Sequence, residues 1–179
     1  MAQIISFGGH TPQIDPTAYI AESAVIIGNV TIKAGANIWP HTVIRGDESQ
    51  IIIGENVSIQ DNSTVHTYPA LPMIIGDNTL VGHNVILHGH SIGKGCLIGM
   101  GSILMDATEI GDESIIGTGT MITKKKVIPP RSLVYGTPAK VVRELSQEEV
   151  DGVQSEVKLY ADFGGRIQET AGGISHVFL

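Results

Sequence analysis

Large aliphatic residues recur at every sixth position along most of this 179-residue chain. The first run comprises Ile14, Ile20, Ile26, Ile32, Ile38 and Ile44. After a first shift of phase the repeat resumes as Ile53, Ile59 and Val65, and after a second as Ile75, Val81 and Leu87. A third shift leads to an unbroken last run of Ile92, Ile98, Leu104, Ile110, Ile116, Ile122, Ile128 and Val134. Small or β-branched residues mostly follow four positions later, and glycines cluster one or two positions after the aliphatic residue.

A period of six fits neither an amphipathic helix, which repeats at 3.6, nor a simple strand, which repeats at 2. Short strands separated by tight turns do give it, and Gly, Asn and Asp at fixed offsets supply the turns. A series of ordinary hairpins rarely keeps so constant a spacing. The repeat therefore predicts an all-β solenoid.

Residues 14 to 139 resemble the hexapeptide-repeat proteins. That resemblance implies a left-handed parallel β-helix with three hexads in each triangular coil. The twenty hexads of this chain would then form between six and seven coils. Hexads three apart would stack on one face, about 4.8 Å from each other, which is the strand spacing of a sheet.

Two histidines fall on one face of this arrangement. Val65 opens the ninth hexad and Leu87 opens the twelfth, so they lie on the same face in adjacent coils. His66 and His88 follow them directly and are expected to stack, with Arg45 one coil below His66. Zinc–nitrogen bonds of about 2.0 Å place ligand nitrogens a little over ~3 Å apart, so two stacked imidazoles can share one ion.

A third histidine lies around a corner from this pair. His83 stands two places after Val81, on the preceding face, and one coil above Asp61. We expect it not to reach the same ion from its own chain. A second copy of the protein could bring it there, so the pattern predicts a metal site between the subunits of a homotrimer.

The chain also resembles the γ-class carbonic anhydrases within the hexapeptide superfamily. The residues that carry this resemblance are Arg45-Gly46-Asp47, Gln60-Asp61, His66, Gly82-His83 and Leu87-His88-Gly89. It implies that His66, His83 and His88 bind the metal at a trimer interface, two from one subunit and one from its neighbour. It also implies that Arg45 and Asp47 join subunits and that Gln60 and Asp61 lie near the metal.

The implied chemistry is the reversible hydration of CO2 to bicarbonate. Three neutral imidazoles leave Zn²⁺ an open position, and water bound there has a pKa of about 7. Gln60 would orient the hydroxide or the substrate, Asp61 would support a ligand, and Glu48 is the candidate proton shuttle. Imidazole ligands also suit Fe²⁺ or Co²⁺, so the sequence does not name the metal.

Two insertions interrupt the repeat beside this histidine column. The segment from Ile44 to Ile53 has three extra residues and contains Glu48, and the segment from Val65 to Ile75 has four. Both are predicted to be loops that project near the site. Some strongly active relatives carry a shuttle glutamate in a long loop after the first histidine, whereas this loop is short and holds no acid.

The chain divides into three predicted parts. Residues 1–13 form a lead-in with a strand from Ile4 to Phe7, residues 14–140 form the β-helix, and residues 141–179 form a C-terminal α-helix and a flexible tail. Ser146 to Glu149 has the pattern of a capping box. Valines at helical spacing follow, and Gly164-Gly165 is expected to end the helix.

Charge and hydropathy exclude several classes of partner. The net charge is −7 with no basic patch, so we expect no nucleic-acid binding. The chain has no long apolar run and no basic, apolar leader, so we expect no membrane association and a cytoplasmic location. The single cysteine, Cys96, occupies a small inward position and is predicted to be a buried thiol.

Two other functions remain open at this stage. The first is a hexapeptide-repeat acyltransferase that uses acetyl-CoA with one histidine as general base, which would leave the other two histidines unexplained. The second is a noncatalytic metal-binding or assembly protein, which explains the histidines but predicts no CO2 hydration.

Overall fold

The fold was obtained as a computed structural model, which describes residues 2–174, with the side chains of 168–174 left out. Its strands and helix, in chain order, are β1 Gln3–Ile5, β2 Gln13–Ile14, β3 Tyr19–Ile20, β4 Val25–Ile32, β5 Asn37–Ile38, β6 Val43–Ile53, β7 Ser58–Ile59, β8 Thr64–His66, β9 Met73–Ile75, β10 Leu80–Val81, β11 Ile86–Leu87, β12 Ser91–Ile92, β13 Leu97–Ile98, β14 Ile103–Leu104, β15 Glu109–Ile110, β16 Ile115–Ile116, β17 Met121–Ile122, β18 Val127–Ile128, β19 Ser132–Tyr135, β20 Lys140–Glu144 and α1 Gln147–Ile174.

The strands form three faces of a left-handed parallel solenoid of about seven turns. We call the face built from β3, β5, β7, β10, β13, β16 and β19 the helix face, because α1 packs on it. The histidine face contains β1, the first halves of β4 and β6, and then β8, β11, β14 and β17. The third face contains β2, the second halves of β4 and β6, and then β9, β12, β15 and β18.

The coil-to-coil register confirms the period-six prediction. On the histidine face the aligned inward residues are Ile4, Ile26, Ile44, Val65, Leu87, Leu104 and Ile122. From Ile26 upward each is fully buried, as are the corresponding residues of the other two faces over most of their length. A ladder of aliphatic side chains therefore forms one continuous core, and its burial is the main stabilising term.

The first insertion is not a loop, so that prediction is wrong. Residues 43–53 form strand β6, which pairs with β4 on both sides of the corner between the histidine and third faces, while residues 47–50 bulge out of the ladder at that corner. The ladder shifts register between Gly28 and Val30, which accommodates the extra residues. Glu48 consequently lies on a strand at this corner. The second insertion is a loop as predicted, closed by a bridge between Tyr68 and Leu71.

The N-terminal segment is part of the histidine face. β1 pairs in parallel with Val25–Ile27 of β4, so it forms the first strand of that face. The strand ends at Ile5, and Phe7 instead bridges His10 across a turn. The predicted strand is thus shorter than expected.

The C-terminal helix begins as predicted and ends later. The Ser146 hydroxyl accepts the Glu149 N–H at 3.3 Å, while the Glu149 carboxylate accepts the Ser146 N–H at 2.9 Å, which completes the capping box. A bidentate pair with Arg143 and the bond from Ser146 lower the pKa of Glu149 to about 2.

Gly164-Gly165 does not end α1, and Gly172-Gly173 does not interrupt it, because the helix continues to Ile174. A methyl group at position 164 would lie 3.0 Å from Cβ of Asn37 on the helix face. Glycine there permits a close approach that offsets its poor helix propensity of about 1 kcal/mol. The part of the predicted flexible tail beyond residue 174 lies outside the described residues.

The helix covers an apolar column of the helix face. Val153 and Val157 are buried against Leu80, with Tyr160 partly buried beside them. Trp39 also lies beside the helix, where its ring makes an edge contact with the Tyr160 ring at a centroid distance of 6.0 Å. Since this helix occupies the helix face, that face is not free for another subunit.

The buried position of Cys96 agrees with expectation. The Cys96 thiol is buried and donates to the Gly111 carbonyl at 3.3 Å, and burial raises its pKa to about 12. It is a structural thiol at neutral pH. Within residues 2–174, no helix combines the length and the apolar character needed to cross a membrane.

The close helix packing makes a testable distinction between two adjacent glycines. Gly165→Ala should raise the free energy of unfolding by up to about 1 kcal/mol, because no described atom lies within 4 Å of the added methyl group. Gly164→Ala should raise the free energy of unfolding by less than Gly165→Ala, or lower it, since Asn37 would have to move. Urea unfolding followed by circular dichroism checks this, and equal effects of the two changes would contradict the packing.

Candidate metal site

The three candidate metal ligands lie at the two edges of the histidine face. His66 ends β8, and His88 directly follows β11 at the same edge, where the chain turns toward the third face. His83 stands in the turn between β10 and β11, at the opposite edge. The end of this turn and strand β11 lie between His83 and His88, which places them on the order of 10 Å apart along the face. The candidate ligands of one chain therefore lie at two separate edges.

His66 and His88 stack as the hexad phase predicted. Arg45 aligns with His66, and Leu87 aligns with Val65, which places His88 one coil above His66. Nδ1 of His66 lies 2.9 Å from Nε2 of His88, and the ring centroids are 4.9 Å apart. This nitrogen separation is within a few tenths of an ångström of the spacing expected on one tetrahedral zinc ion.

Each of these two rings is held from its far side by a carboxylate. Nε2 of His66 donates to Asp47 at 2.9 Å, and Nδ1 of His88 donates to Asp106 at 2.6 Å. With those nitrogens protonated, the two nitrogens that face each other both carry lone pairs. Two lone pairs 2.9 Å apart repel unless a positive charge lies between them, either a shared proton or a metal ion. The donor set thus fits a cation that prefers imidazole nitrogen.

A basic side chain in turn forms an ion pair with each carboxylate. Arg45 pairs with Asp47, and Lys124 pairs with Asp106 at 2.5 Å. Burial raises the pKa of Asp47, but hydrogen bonds from His66 and Arg45 outweigh it, so the net pKa is lowered. The hydrogen bond from Lys124 is the largest cause that lowers the pKa of Asp106. Both acids remain carboxylates at neutral pH and can accept the imidazole protons.

His83 repeats the pattern at the other edge of the face. Its Nδ1 lies 3.0 Å from Oδ2 of Asp61, one coil below, as the sequence predicted. Nε2 of His83 is then the nitrogen left for a ligand. Among residues 2–174 of one chain, no group of three His, Cys, Asp or Glu side chains is placed to hold a metal ion.

The candidate catalytic residues also divide between the two edges. Gln60 and Asp61 lie at the edge of His83, and the Gln60 residue is buried. Glu48 lies at the edge of His66 and His88, where it is exposed and lines a cavity of about 190 Å³ with Phe7, His10 and Asn29. One chain does not bring Glu48 together with Gln60 and Asp61.

The outward side of the histidine face is apolar beside the histidine column. The outward column of this face contains Val43, Thr64, Ile86, Ile103 and Met121, so it is apolar except at Thr64, and Ile86 is 45% exposed. The equivalent apolar column of the helix face is covered by α1. The histidine face has no such cover among the described residues, so it is the apolar face open to another copy.

Sequence reasoning missed Asp106 and Lys124. A signal was present: His88, Asp106 and Lys124 follow one another at intervals of eighteen residues, which is three hexads or one coil. The motifs that carry the resemblance end at Gly89, before either residue is reached in the chain.

Comparisons with known proteins place this chain among its relatives. The bacterial transferase hexapeptide family (six repeats) matches residues 89–124. A carbonic anhydrase from Geobacillus kaustophilus strain HTA426 is 45% identical over 161 residues, which cover 90% of this chain and 88% of that protein. The carnitine operon protein CaiE from Escherichia coli strain K12 is 38% identical over 161 residues, covering 90% of this chain and 82% of CaiE.

A solved structure agrees in fold over nearly the whole chain. The crystal structure of a Bacillus cereus protein, described as a candidate acetyltransferase, superposes with a TM-score of 0.92 at 42% identity and covers 94% of this chain and 98% of its own. Full-length similarity at this level, together with the repeat, identifies the family. The chain belongs to the hexapeptide-repeat proteins, in the group that resembles the γ-class carbonic anhydrases.

Proposed function

We propose that this chain is a γ-class carbonic anhydrase-like metalloenzyme that hydrates CO2 reversibly to bicarbonate. It assembles as a homotrimer in which His66 and His88 of one subunit and His83 of the neighbouring subunit bind each metal ion. The observation that carries this proposal is the 2.9 Å gap between His66 Nδ1 and His88 Nε2, where two lone pairs converge while carboxylates hold the other ring nitrogens.

The division of the site supports the proposed trimer. Because His83 and the His66–His88 pair lie at opposite edges of one face, side-by-side packing of histidine faces brings the edge of one copy to the opposite edge of the next. A closed ring of such head-to-tail contacts gives three equivalent sites. The exposed Ile86 and its apolar neighbours supply surface to bury in that contact.

Zn²⁺, or Fe²⁺ or Co²⁺, would supply Lewis-acid activation of water at this position. The chain's own residues do the rest. Asp47 orients the imidazole of His66, and Asp61 orients that of His83. The Gln60 carboxamide, brought by the same subunit as His83, can donate an N–H to an oxygen of the substrate. Glu48, brought by the other subunit, can accept the proton that hydration releases.

A direct experiment tests the proposal. Protein purified anaerobically should contain one metal ion per chain, and the metallated trimer should accelerate CO2 hydration in a stopped-flow assay. A trimer that binds metal without accelerating hydration would support the noncatalytic alternative. A protein that binds no metal would overturn the proposal.

Acetyl transfer is the second candidate, because the Bacillus cereus relative carries that description. An acetyltransferase needs one histidine as general base and has no need for a metal. Release of free thiol from acetyl-CoA with a panel of amine and hydroxyl acceptors, measured on metal-free protein, distinguishes it from the carbonic anhydrase proposal.

Replacement of His83 tests the intersubunit ligand. His83→Ala should lose most of its metal while it keeps the circular dichroism spectrum of the solenoid, because this partly exposed side chain contributes nothing to the aliphatic ladder. His41→Asn is the matched control: it removes an exposed imidazole at another turn, and asparagine tolerates the positive φ of 59° there. Normal metal content in His83→Ala would contradict the ligand assignment.

Replacement of Arg45 tests the link between assembly and the site. In one chain the Arg45 side chain is 43% exposed, so its guanidinium retains donors for a neighbouring subunit. Arg45→Ala should raise the trimer dissociation constant by about tenfold, equivalent to ~1.4 kcal/mol, and should lower metal content, because Asp47 loses the group that holds it against His66. Sedimentation velocity and metal analysis measure both effects.

Lys158→Ala, on the exposed side of α1, is the control for loss of a positive charge. An Arg45→Ala protein that stays a fully metallated trimer at low concentration would show that Arg45 has no role in the interface.

A further inference from the structure

Two equivalent series of side-chain contacts converge on the histidine pair. From below, Arg45 holds Asp47, and Asp47 holds His66. From above, Lys124 holds Asp106, and Asp106 holds His88. The lower series includes residues that the carbonic anhydrase resemblance assigns to the interface. No role has been assigned to Lys124 and Asp106 in the upper series.

We propose that Asp106, held by Lys124, is a positioning residue that fixes His88 in the tautomer whose Nε2 faces the metal. This inference rests on the proposed function, since it assumes that His88 is a ligand. It adds a requirement for a specific carboxylate one coil above that ligand.

The geometry determines the tautomer. Oδ1 of Asp106 lies 2.6 Å from Nδ1 of His88, and a carboxylate can only accept, so the imidazole proton must reside on Nδ1. Nε2 then carries the lone pair that points at His66. Oδ2 of Asp106 faces the Lys124 ammonium, which prevents the carboxylate from rotating away. The Asp106 side chain is only 19% exposed, so water competes weakly for these oxygens.

This arrangement predicts an unusual order among variants. In Asp106→Ala the His88 ring loses its acceptor, and it can take either tautomer. In Asp106→Asn the amide has one oxygen and one NH2 group. Because the Lys124 ammonium can only donate, it attracts the amide oxygen and leaves the NH2 group facing Nδ1 of His88. His88 must then accept at Nδ1 and carry its proton on Nε2, which blocks the metal.

Metal affinity is therefore expected to be highest in the wild type, lower in Asp106→Ala and lowest in Asp106→Asn. Loss of a carboxylate behind a ligating histidine lowers metal affinity about 10–100-fold. We expect Asp106→Ala near the lower value and Asp106→Asn at or above the upper one. The double variant Asp106→Asn/Lys124→Met should recover part of the lost metal affinity. Without the Lys124 ammonium, no cation attracts the amide oxygen, so that oxygen can turn toward Nδ1 of His88.

The experiment measures Co²⁺ affinity by competition with a chelator, and the ring ¹⁵N shifts of His88 in metal-free protein. In the wild type, Nδ1 of His88 should be protonated whether or not a proton is also shared between its Nε2 and His66. In Asp106→Asn, Nδ1 should be unprotonated and Nε2 should carry the proton, and Asp106→Ala should show a mixture of the two states at Nδ1. Asp112→Asn is the matched control, because Asp112 also joins two coils by accepting the Lys94 N–H at 2.8 Å but lies at the corner between the third and helix faces. It should leave the Co²⁺ affinity and the His88 shifts unchanged.

The outcomes separate the possible explanations. If Asp106 served only the fold, the near-isosteric Asp106→Asn would perturb the protein less than Asp106→Ala, and that order would overturn the proposal. An unchanged His88 tautomer in both variants would overturn it as well. The ¹⁵N measurement needs no metal, so it decides the positioning role even if the wild-type protein failed to bind Co²⁺, a result that would refute the proposed function instead.

Discussion

The hydrogen-bonded register between successive coils fixes the position of every functional side chain in this protein. Each coil adds one inward aliphatic residue per face, and the continuous ladder of buried Ile, Leu and Val side chains resists slippage. A slip of one residue would turn the whole inward set outward. Since the core holds the register, the residue after each inward position also stacks from coil to coil. That is why His66 and His88 meet, and why Arg45 lies beneath them.

The same register divides the site. Successive positions around a coil point to different corners, so His83 and the His66–His88 pair cannot meet in one chain, although only four residues lie between His83 and His88. The helix α1 covers one face with its own valines, and the apolar histidine face lacks such cover within the described residues. Geometry and surface hydrophobicity thus both support the proposed assembly, in which a neighbouring copy would complete the site.

Much of the fold could be predicted because a period of six has few structural solutions. Counting hexads also placed His66 over Arg45 and His83 over Asp61, since the phase of a rigid repeat carries across insertions. Residue counts could not tell whether extra residues form a loop or continue a strand around a corner, so the segment containing Glu48 was assigned incorrectly. The end of α1 was also wrong, because close packing of Gly164 on Asn37 outweighs the low helix propensity of glycine. Asp106 and Lys124 were missed because their importance comes from side-chain contacts across coils.

The measurement that tests the central claim most directly is metal binding by mixed trimers. A His83→Ala chain and a chain with both His66→Ala and His88→Ala each lack part of every site. When the two proteins are unfolded, mixed and reassembled, and the mixed trimers are purified by orthogonal tags, His66 and His88 of the first chain should meet His83 of the second. The account predicts that these mixed trimers bind metal where neither parent does. Mixed trimers with no more metal than either parent would contradict an intersubunit site.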